Sequence, residues 1–212
     1  MARNGYLTVK EENCGEYIEK KSRFIGYAKP VETEAEAVAF IREIRARHHD
    51  ATHHCYAYQI GEQDQLQRSS DDGEPAGTAG RPILEVIKKS GLKNTCVVVT
   101  RYFGGILLGA GGLVRAYSHA AQMGITIAGI VEKIPAATFS LTLDYTLWGK
   151  VENYLAAHKL VRQNVQYLEK VTVQVLTPRA EAEQVQRDIT ELGSGQIQIL
   201  RLGEEEWLTR EV

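Results

Sequence analysis

The sequence lacks several features that would assign it to a particular class of protein. It contains only three cysteines, Cys14, Cys55 and Cys96, which are far apart and form no CxxC pair. This spacing argues against a disulfide framework and against a zinc cluster built from cysteines. No run approaches the roughly 18 apolar residues of a membrane span, and the N-terminus has no apolar core of signal-peptide length. We expect a cytoplasmic protein with no membrane partner.

The chain also lacks a strong charge of either sign. Its formal net charge is -2 over 212 residues. A protein that coats nucleic acid through bulk electrostatics would be strongly basic, so only a local basic patch is compatible with nucleic-acid binding. The small excess of basic side chains falls in residues 1–134, and the remainder is net acidic. An electropositive surface is therefore expected in the first part of the chain.

The hydrophobic pattern predicts two α+β domains, residues 1–134 and residues 135–212. In the second part, strand and helix patterns follow each other as strand, helix, strand, twice over. This order predicts a ferredoxin-like βαββαβ domain. In the first part, the predicted strands are YIEKKSRFIGYAKPV, HHCYAYQI and NTCVVVTRYF, and the predicted helices cover residues 34–47, 83–89 and 113–127.

Residues 104–115, GGILLGAGGLVR, are unusually rich in glycine. Glycine inside a helix or strand costs roughly 0.5–1 kcal/mol relative to alanine, so this stretch requires a structural or chemical reason. Either the glycines serve tight turns and close backbone approach, or they present backbone N–H groups to an anion at the start of a helix. The spacing matches neither the P-loop nor the dinucleotide fingerprint. The glycines are Gly104, Gly105, Gly109, Gly111 and Gly112.

Basic and aromatic residues flank the glycine-rich stretch. Arg101 and Tyr102 precede it, and Arg115 follows just inside the predicted helix. An arginine fork, an aromatic ring and backbone amides together are typical of a surface that binds phosphate or RNA. Lys21 and Arg23 extend this candidate site, although lysines and arginines also solvate the edges of strands. Because strand side chains alternate, Arg101 and Tyr102 are expected to point in opposite directions.

An acidic stretch forms a second constellation, in which Asp71, Asp72 and Glu74 surround Gly73. Such carboxylates either hold Mg²⁺, act as a general acid and base, or bond to the backbone of a polar turn. They also lie where the next helix could be capped. We predict no resident cofactor, with a Mg²⁺ ion that bridges to the ligand as the alternative.

His53 and His54 are candidate polar neighbours of the site. If HHCYAYQI is a strand, His53 and Cys55 face one side and His54 and Tyr56 face the other. Only two potential metal ligands then share a face. We therefore expect a partly buried histidine, or one beside an anionic ligand, rather than a zinc site.

Four blocks read, in order, KKSRFIGYA, HHCYAYQIG, SSDDGEPAGTAGRP and VVVTRYFGGILLGAGGLVRAY. In that order and spacing they resemble the IMPACT family of translation-associated proteins, and closely its bacterial two-domain members. The resemblance implies a first domain like the second domain of a ribosomal small-subunit protein, and a second domain like the last domain of elongation factor G. Eukaryotic members restrain a starvation-activated translation kinase by competing for its ribosome-associated activator. They use an additional N-terminal domain that this sequence does not show, and the family offers no established catalytic residues.

We therefore predict a non-enzymatic regulator or binding module associated with translation, whose partner is RNA or a ribosome-associated component. The alternative is a metal-assisted hydrolase of a small phosphorylated or nucleotide-like substrate, with Asp71 or Asp72 as metal ligand or base and His53 or His54 as acid. An enzyme needs these groups and the loop amides in one concave pocket. A module for a protein partner would instead leave an exposed apolar patch at residues 106–108.

Overall fold

The computed structural model of the chain describes residues 5–203 and 207–212. The chain divides into two compact units, one built mainly from residues 6–132 and the other from residues 133–203 and 207–210. Both units mix helices and strands, as the sequence predicts. The predicted domain boundary between residues 134 and 135 stays a prediction. Within the described ranges, every helix is too short or too polar to cross a membrane.

The first unit contains a five-stranded antiparallel sheet with helices on both faces. The unit contains the strand β1 (Tyr6–Val9), which lies outside this sheet, and the five strands of the sheet, β2 (Asn13–Glu19), β3 (Ser22–Pro30), β4 (His53–Ile60), β5 (Leu66–Ser70) and β6 (Thr95–Tyr102). Its helices are α1 (Glu34–Arg47), α2 (Gly80–Lys89) and α3 (Ala110–Ala128). The sheet has the strand order β2-β3-β6-β4-β5, with every neighbouring pair antiparallel.

The two faces of this sheet carry separate apolar cores because side chains alternate along each strand. Helix α1 covers one face and buries Phe40 and Ile44 against Tyr27 and Val98 of the sheet. Helices α2 and α3 cover the other face, where Phe24 belongs to the buried core. Neighbouring residues of one strand therefore belong to different environments, which decides the position of several predicted site residues.

Helix α1 has the bounds that the sequence predicts, and its start shows the reason. The hydroxyl of Thr33 accepts a hydrogen bond from the N–H of Glu36 at 3.2 Å. The Glu36 carboxylate accepts in return from the N–H of Glu32 at 2.7 Å. Acidic residues in the first turn and Arg45 and Arg47 in the last turn complement the helix dipole. These signals lie within one continuous segment, so the sequence alone predicted the bounds of the helix.

The predicted strand YIEKKSRFIGYAKPV is wrong, because the segment forms two strands joined by a tight turn. Lys20 has φ 45° and Lys21 has φ 64°, and Glu19 pairs directly with Ser22. Two successive positive φ angles match the twist of an antiparallel hairpin, where Asn-Gly or Asp-Gly is the usual sequence. Two lysines at these positions hid the turn from sequence-based prediction.

The second unit has the order strand, helix, strand, strand, helix, strand that the sequence predicts, followed by one further strand. Its elements are β7 (Ile130–Leu143), α4 (Tyr145–Ala157), β8 (Val161–Tyr167), β9 (Val171–Pro178), α5 (Ala182–Leu192), β10 (Gln198–Gly203) and β11 (Trp207–Glu211). Four of these strands lie side by side in the antiparallel order β10-β7-β9-β8. Phe139 and Val173 of the sheet form one core with Val151 of α4 and Ile189 of α5.

Candidate anion-binding site

Asp71 holds the acidic loop by acting as a cap for helix α2. Its carboxylate accepts hydrogen bonds from the N–H groups of Gly77 at 2.8 Å, Ala79 at 3.0 Å and Gly80 at 2.8 Å. Partial burial would raise the pKa of Asp71, but the three backbone donors outweigh it and lower the pKa below its ordinary value. The sequence predicted that this helix begins at residue 83, but helix α2 begins at Gly80. The earlier start was missed because the capping carboxylate comes from a residue nine positions before the helix.

Replacing Asp71 with asparagine should lower the free energy of unfolding by about 1–2 kcal/mol at neutral pH, because the amide has no charge and leaves one side of the three-donor cluster without an acceptor oxygen. Because the native pKa lies below the unfolded value, the stabilisation is present above about pH 4 and disappears as the pH falls through the native pKa. Urea unfolding at a series of pH values should show the gap between native protein and variant closing in acid.

The matched control for this experiment is Asp144→Asn. Asp144 precedes helix α4, but its side chain makes no capping hydrogen bond. The change removes the same charge at a helix start, so it should cost less than Asp71→Asn and vary less with pH. An equal loss in both variants would refute the capping role of Asp71.

Asp72 fastens the same loop to helix α1 and strand β4. Its carboxylate accepts from the backbone N–H of His54 at 2.6 Å and from Arg45 Nη2 at 2.6 Å. The carbonyl oxygen of Asp72 is hydrogen bonded to His53 Nδ1 at 2.8 Å. Asp72 has φ 44° and Gly73 has φ 87°, a tight bend that the contacts on both sides maintain. Both oxygens of this carboxylate already have protein partners.

Glu74 and Arg101 form a buried ion pair, which corrects the expectation that Arg101 lies on an open surface. Arg101 Nη1 lies 2.5 Å from Glu74 Oε1, and only 5% and 4% of the two side chains are exposed. The hydroxyl of Tyr117 donates to the same Glu74 oxygen at 2.7 Å. Arg101 Nη2 donates to Ser22 Oγ at 3.2 Å. The arginine thus joins the acidic loop to the start of β3 from inside the protein.

Tyr102 and Arg23 lie on the opposite face of the sheet from Arg101, which separates them from the glycines. They pair with each other across β3 and β6, and the Arg23 guanidinium lies 5.5 Å from the Tyr102 ring centroid. Arg23 also forms a surface ion pair with Glu16 at 2.8 Å. The Tyr102 hydroxyl is hydrogen bonded to His48 Nδ1 at 2.9 Å. These contacts belong to the face that α1 covers.

The two candidate histidines also separate, as strand alternation predicts. His53 lies on the α2 and α3 face, with Nε2 at 3.9 Å from Glu74 Oε1. His54 lies on the α1 face, where its Nε2 is hydrogen bonded to the His48 carbonyl at 3.0 Å. Burial lowers the pKa of His54 below its ordinary value. Among the residues that the structure describes, no group of three or more His, Cys, Asp or Glu side chains is arranged to hold a metal ion.

The glycines have two different roles. A side chain at Gly104 would place its Cβ only 2.0 Å from the Lys21 carbonyl carbon, so the loop lies directly against the β2–β3 turn. Gly105 and Gly109 have φ of 79° and 73°, which a side chain would disfavour. Gly109 is the cap of α3, and Gly111 and Gly112 form its first turn. The helix therefore begins at Ala110, inside the glycine-rich stretch, rather than at residue 113.

A cavity of about 250 Å³ lies between the β2–β3 hairpin and the start of α3. It is lined by Tyr17, Glu19, Lys20, Leu108, Gly112, Arg115, Ala116 and His119. Of the predicted site residues, the structure places Gly112 and Arg115 at this cavity, where they lie with Lys20 and His119. His119 follows Arg115 by four positions, and this spacing places both on one face of the helix. The spacing of four residues was therefore a signal in the sequence that His119 lies beside Arg115.

The cavity carries a net positive charge, because Lys20 and Arg115 outnumber Glu19 among its lining residues. Within the described ranges, Lys20, Lys21 and Arg115 take part in no ion pair. The Glu19 carboxylate accepts a hydrogen bond from the Tyr17 hydroxyl at 2.6 Å. An ideal Cβ at Gly111 would lie 3.7 Å from Arg115 Nη1, so the guanidinium lies against the first turn of α3. Free backbone N–H groups and an arginine fork at one place form an anion-binding arrangement.

Known proteins match both parts of the chain. Residues 20–125 match the Impact N-terminal domain, and residues 141–196 match a domain of unknown function, DUF1949. The chain is 45% identical over 196 residues to IMPACT family member YvyE of Bacillus subtilis (strain 168), covering 92% of this chain and 90% of that protein. It is 50% identical over 62 residues to Protein IMPACT of Rattus norvegicus, covering 28% of this chain and 19% of the rat protein. A solved structure described as "Crystal structure of an hypothetical protein" matches with TM-score 0.62 and 33% identity, covering 96% of this chain and 100% of that one.

Proposed function

Since the chain belongs to the IMPACT family, we propose that it is a non-enzymatic binding module or regulator associated with translation. In this proposal the first unit binds RNA or another phosphate-bearing ligand at the cavity beside α3. The observation that carries the proposal is the meeting of Lys20 and Arg115, both without an acidic partner in the described ranges, at the N-terminus of a 19-residue helix.

The physical chemistry of this cavity supports an anionic ligand. The first N–H groups of α3 have no partners within the helix, and they lie at the positive end of its dipole. Arg115 supplies a planar fork of donors that matches a phosphate group, and Lys20 adds a point charge. Gly111 and Gly112 carry no side chain that would keep a ligand from the backbone. The cavity is small, so we expect single phosphate groups to be recognised.

The family resemblance supports the choice of RNA among phosphate-bearing ligands. It implies one domain similar to part of a ribosomal protein and another similar to part of elongation factor G, and both of these relatives touch RNA. Two α+β units are compatible with that expectation. Likeness of fold is an analogy, so the cavity and not the fold carries the proposal.

The hydrolase alternative has less support from the same residues. Metal-assisted hydrolysis needs a carboxylate that is free to bind an ion or accept a proton. Asp71 accepts from three backbone N–H groups, Asp72 accepts from His54 and Arg45, and Glu74 is paired inside the protein. The acids therefore act as loop and core partners, which is the arrangement expected of a binding module.

We expect the double variant Lys20→Ala with Arg115→Ala to lose about tenfold in affinity for a short single-stranded RNA for each cation removed. The slope of log affinity against log salt should fall by roughly 0.7 for each lost phosphate contact. Fluorescence anisotropy with a labelled RNA measures both quantities. Crosslinking in cells, followed by sequencing of attached RNA, identifies the natural ligand with the same pair of proteins.

Arg23→Ala is the matched control, because it removes one positive charge from the opposite face of the sheet. It should bind RNA nearly as the native protein does. Equal losses of binding free energy per cation removed in the control and in the double variant would point to the overall charge rather than to the cavity. RNA binding that ignores both the substitutions and the salt concentration would refute the proposal.

A further inference from the structure

An exposed apolar tip lies at the start of the glycine-rich stretch and is formed by Phe103, which precedes the stretch, and by Ile106 and Leu107 within it. The exposed fractions are 46%, 41% and 81%. Exposed apolar side chains are common singly, but three in five positions of one segment form a patch. Burying this patch against a ligand would gain free energy from the hydrophobic effect.

The apolar tip lies beside the cationic cavity. The segment starts at Gly104 against the backbone of Lys21, where an added Cβ would lie 2.0 Å from the carbonyl carbon. The residue after Leu107 is Leu108, which lines the cavity together with Arg115. The cavity and the exposed apolar side chains therefore adjoin at Leu108.

The base of the tip is fixed although its side chains are exposed. The N–H of Phe103 donates to Thr52 Oγ1 at 3.1 Å, and the N–H of Gly104 donates to Ser22 Oγ at 3.2 Å. The Phe103 ring lies 5.4 Å from the guanidinium of Arg101, which is itself held by Glu74. An anchored aromatic ring loses little entropy when a second planar group stacks on it. The tip is thus arranged in advance for contact.

We propose that the tip contacts an unpaired base of a single RNA strand whose phosphate occupies the cavity. The proposal rests on the proposed function and adds the form of RNA that is recognised. Phosphates and base faces alternate along a single strand, which matches a cationic cavity next to an apolar tip. In a duplex the base faces are stacked and hidden, and a small phosphate ligand would leave the tip in water.

The test compares ligands that share phosphates but differ in their bases. The native protein is titrated with a single-stranded RNA carrying 2-aminopurine, the same strand in a full duplex, and an abasic strand of equal length. We expect the single strand to bind about tenfold more tightly than the other two, with a change in 2-aminopurine fluorescence. Leu107→Ser should remove this advantage and leave binding of the abasic strand unchanged. Arg115→Ala should weaken binding of all three.

Leu168→Ser is the matched control, because Leu168 is a leucine of similar exposure, 74%, in the other unit. It should behave as the native protein. Equal affinity for single, paired and abasic strands, lost in Arg115→Ala, would overturn this proposal while the proposed function stands. Absence of binding to any RNA would overturn both. Binding of anionic lipid vesicles that depends on Leu107, without RNA binding, would assign the tip to a membrane and overturn this proposal.

Discussion

Replacing Arg101 with alanine should lower the free energy of unfolding of the first unit by about 3–5 kcal/mol, the range expected when one partner of a buried ion pair is removed. The Glu74 carboxylate would remain inside the protein, where Tyr117 is the one other side chain of the described residues that donates a hydrogen bond to it, and Ser22 would lose a donor. The Phe24 and Phe103 rings would also lose the guanidinium that lies 5.3 and 5.4 Å from them. Urea unfolding followed by circular dichroism measures the change.

Arg45→Ala provides the comparison for Arg101→Ala. Arg45 also pairs with an acid of the same loop, Asp72 at 2.6 Å, but 45% of its side chain is exposed. Exposed pairs contribute about 0–1 kcal/mol, so this variant should unfold at nearly the native urea concentration. Similar losses in the two variants would show that burial of the Glu74–Arg101 pair does not set its contribution. If Arg101 stabilises the first unit as we expect, a loss of RNA binding in an Arg101 variant reports on folding as well as on binding.

Replacing Gly26 with alanine should destabilise the first unit by about 2–3 kcal/mol, near the upper end of the usual cost of overpacking. Gly26 on β3 faces Gly124 of α3, and an added Cβ would lie 2.0 Å from the Ala120 carbonyl oxygen. The atoms that this Cβ would meet belong to the backbone of Ala120 and Ala121. The clash is therefore relieved only if the helix moves away from the sheet. Such a movement would also displace the start of α3 from the β2–β3 hairpin, so phosphate binding should weaken together with stability.

Gly149→Ala is the control for this substitution. Gly149 lies in helix α4, has no heavy atom within 4 Å of an added Cβ, and has no positive φ. The same chemical change should therefore stabilise the second unit by about 0.5–1 kcal/mol, through the higher helix propensity of alanine. Thermal unfolding of both variants gives the comparison. A Gly26→Ala variant as stable as the native protein would contradict the close contact between β3 and α3.

Local sequence signals predicted the elements that form through local interactions. Helix α1 has its cap, its acidic first turn and its basic last turn within one continuous segment, and it has the predicted bounds. The β4 strand and the opposite orientation of His53 and His54 follow from the period of two. The β-α-β-β-α-β order of the second unit follows from two repeats of the apolar pattern. The family resemblance came from blocks of sequence in the same way.

Predictions failed where the partner of a residue lies far away in the sequence. Asp71 caps a helix that begins nine positions later, so no local motif marked the start of α2. Arg101 was expected to meet phosphate, but its partner is Glu74, 27 positions earlier in the chain. Charge alone does not reveal whether an arginine is buried. The position of its strand between two covered faces decides that.

By itself, the sequence determined the α+β class and the order of the main elements. It also indicated that the glycine-rich stretch forms a turn that leads into a helix. These depend on periodicity, capping and propensity, which act over a few residues. Only the tertiary structure decided which cations stay free. Pairing of β3 with β6 places Arg101 on one face and Arg23 on the other, and the hairpin turn brings Lys20 to Arg115. Side chains distant in sequence meet only when strands pair in register and helices pack on them. The proposed anion site therefore depends on the fold.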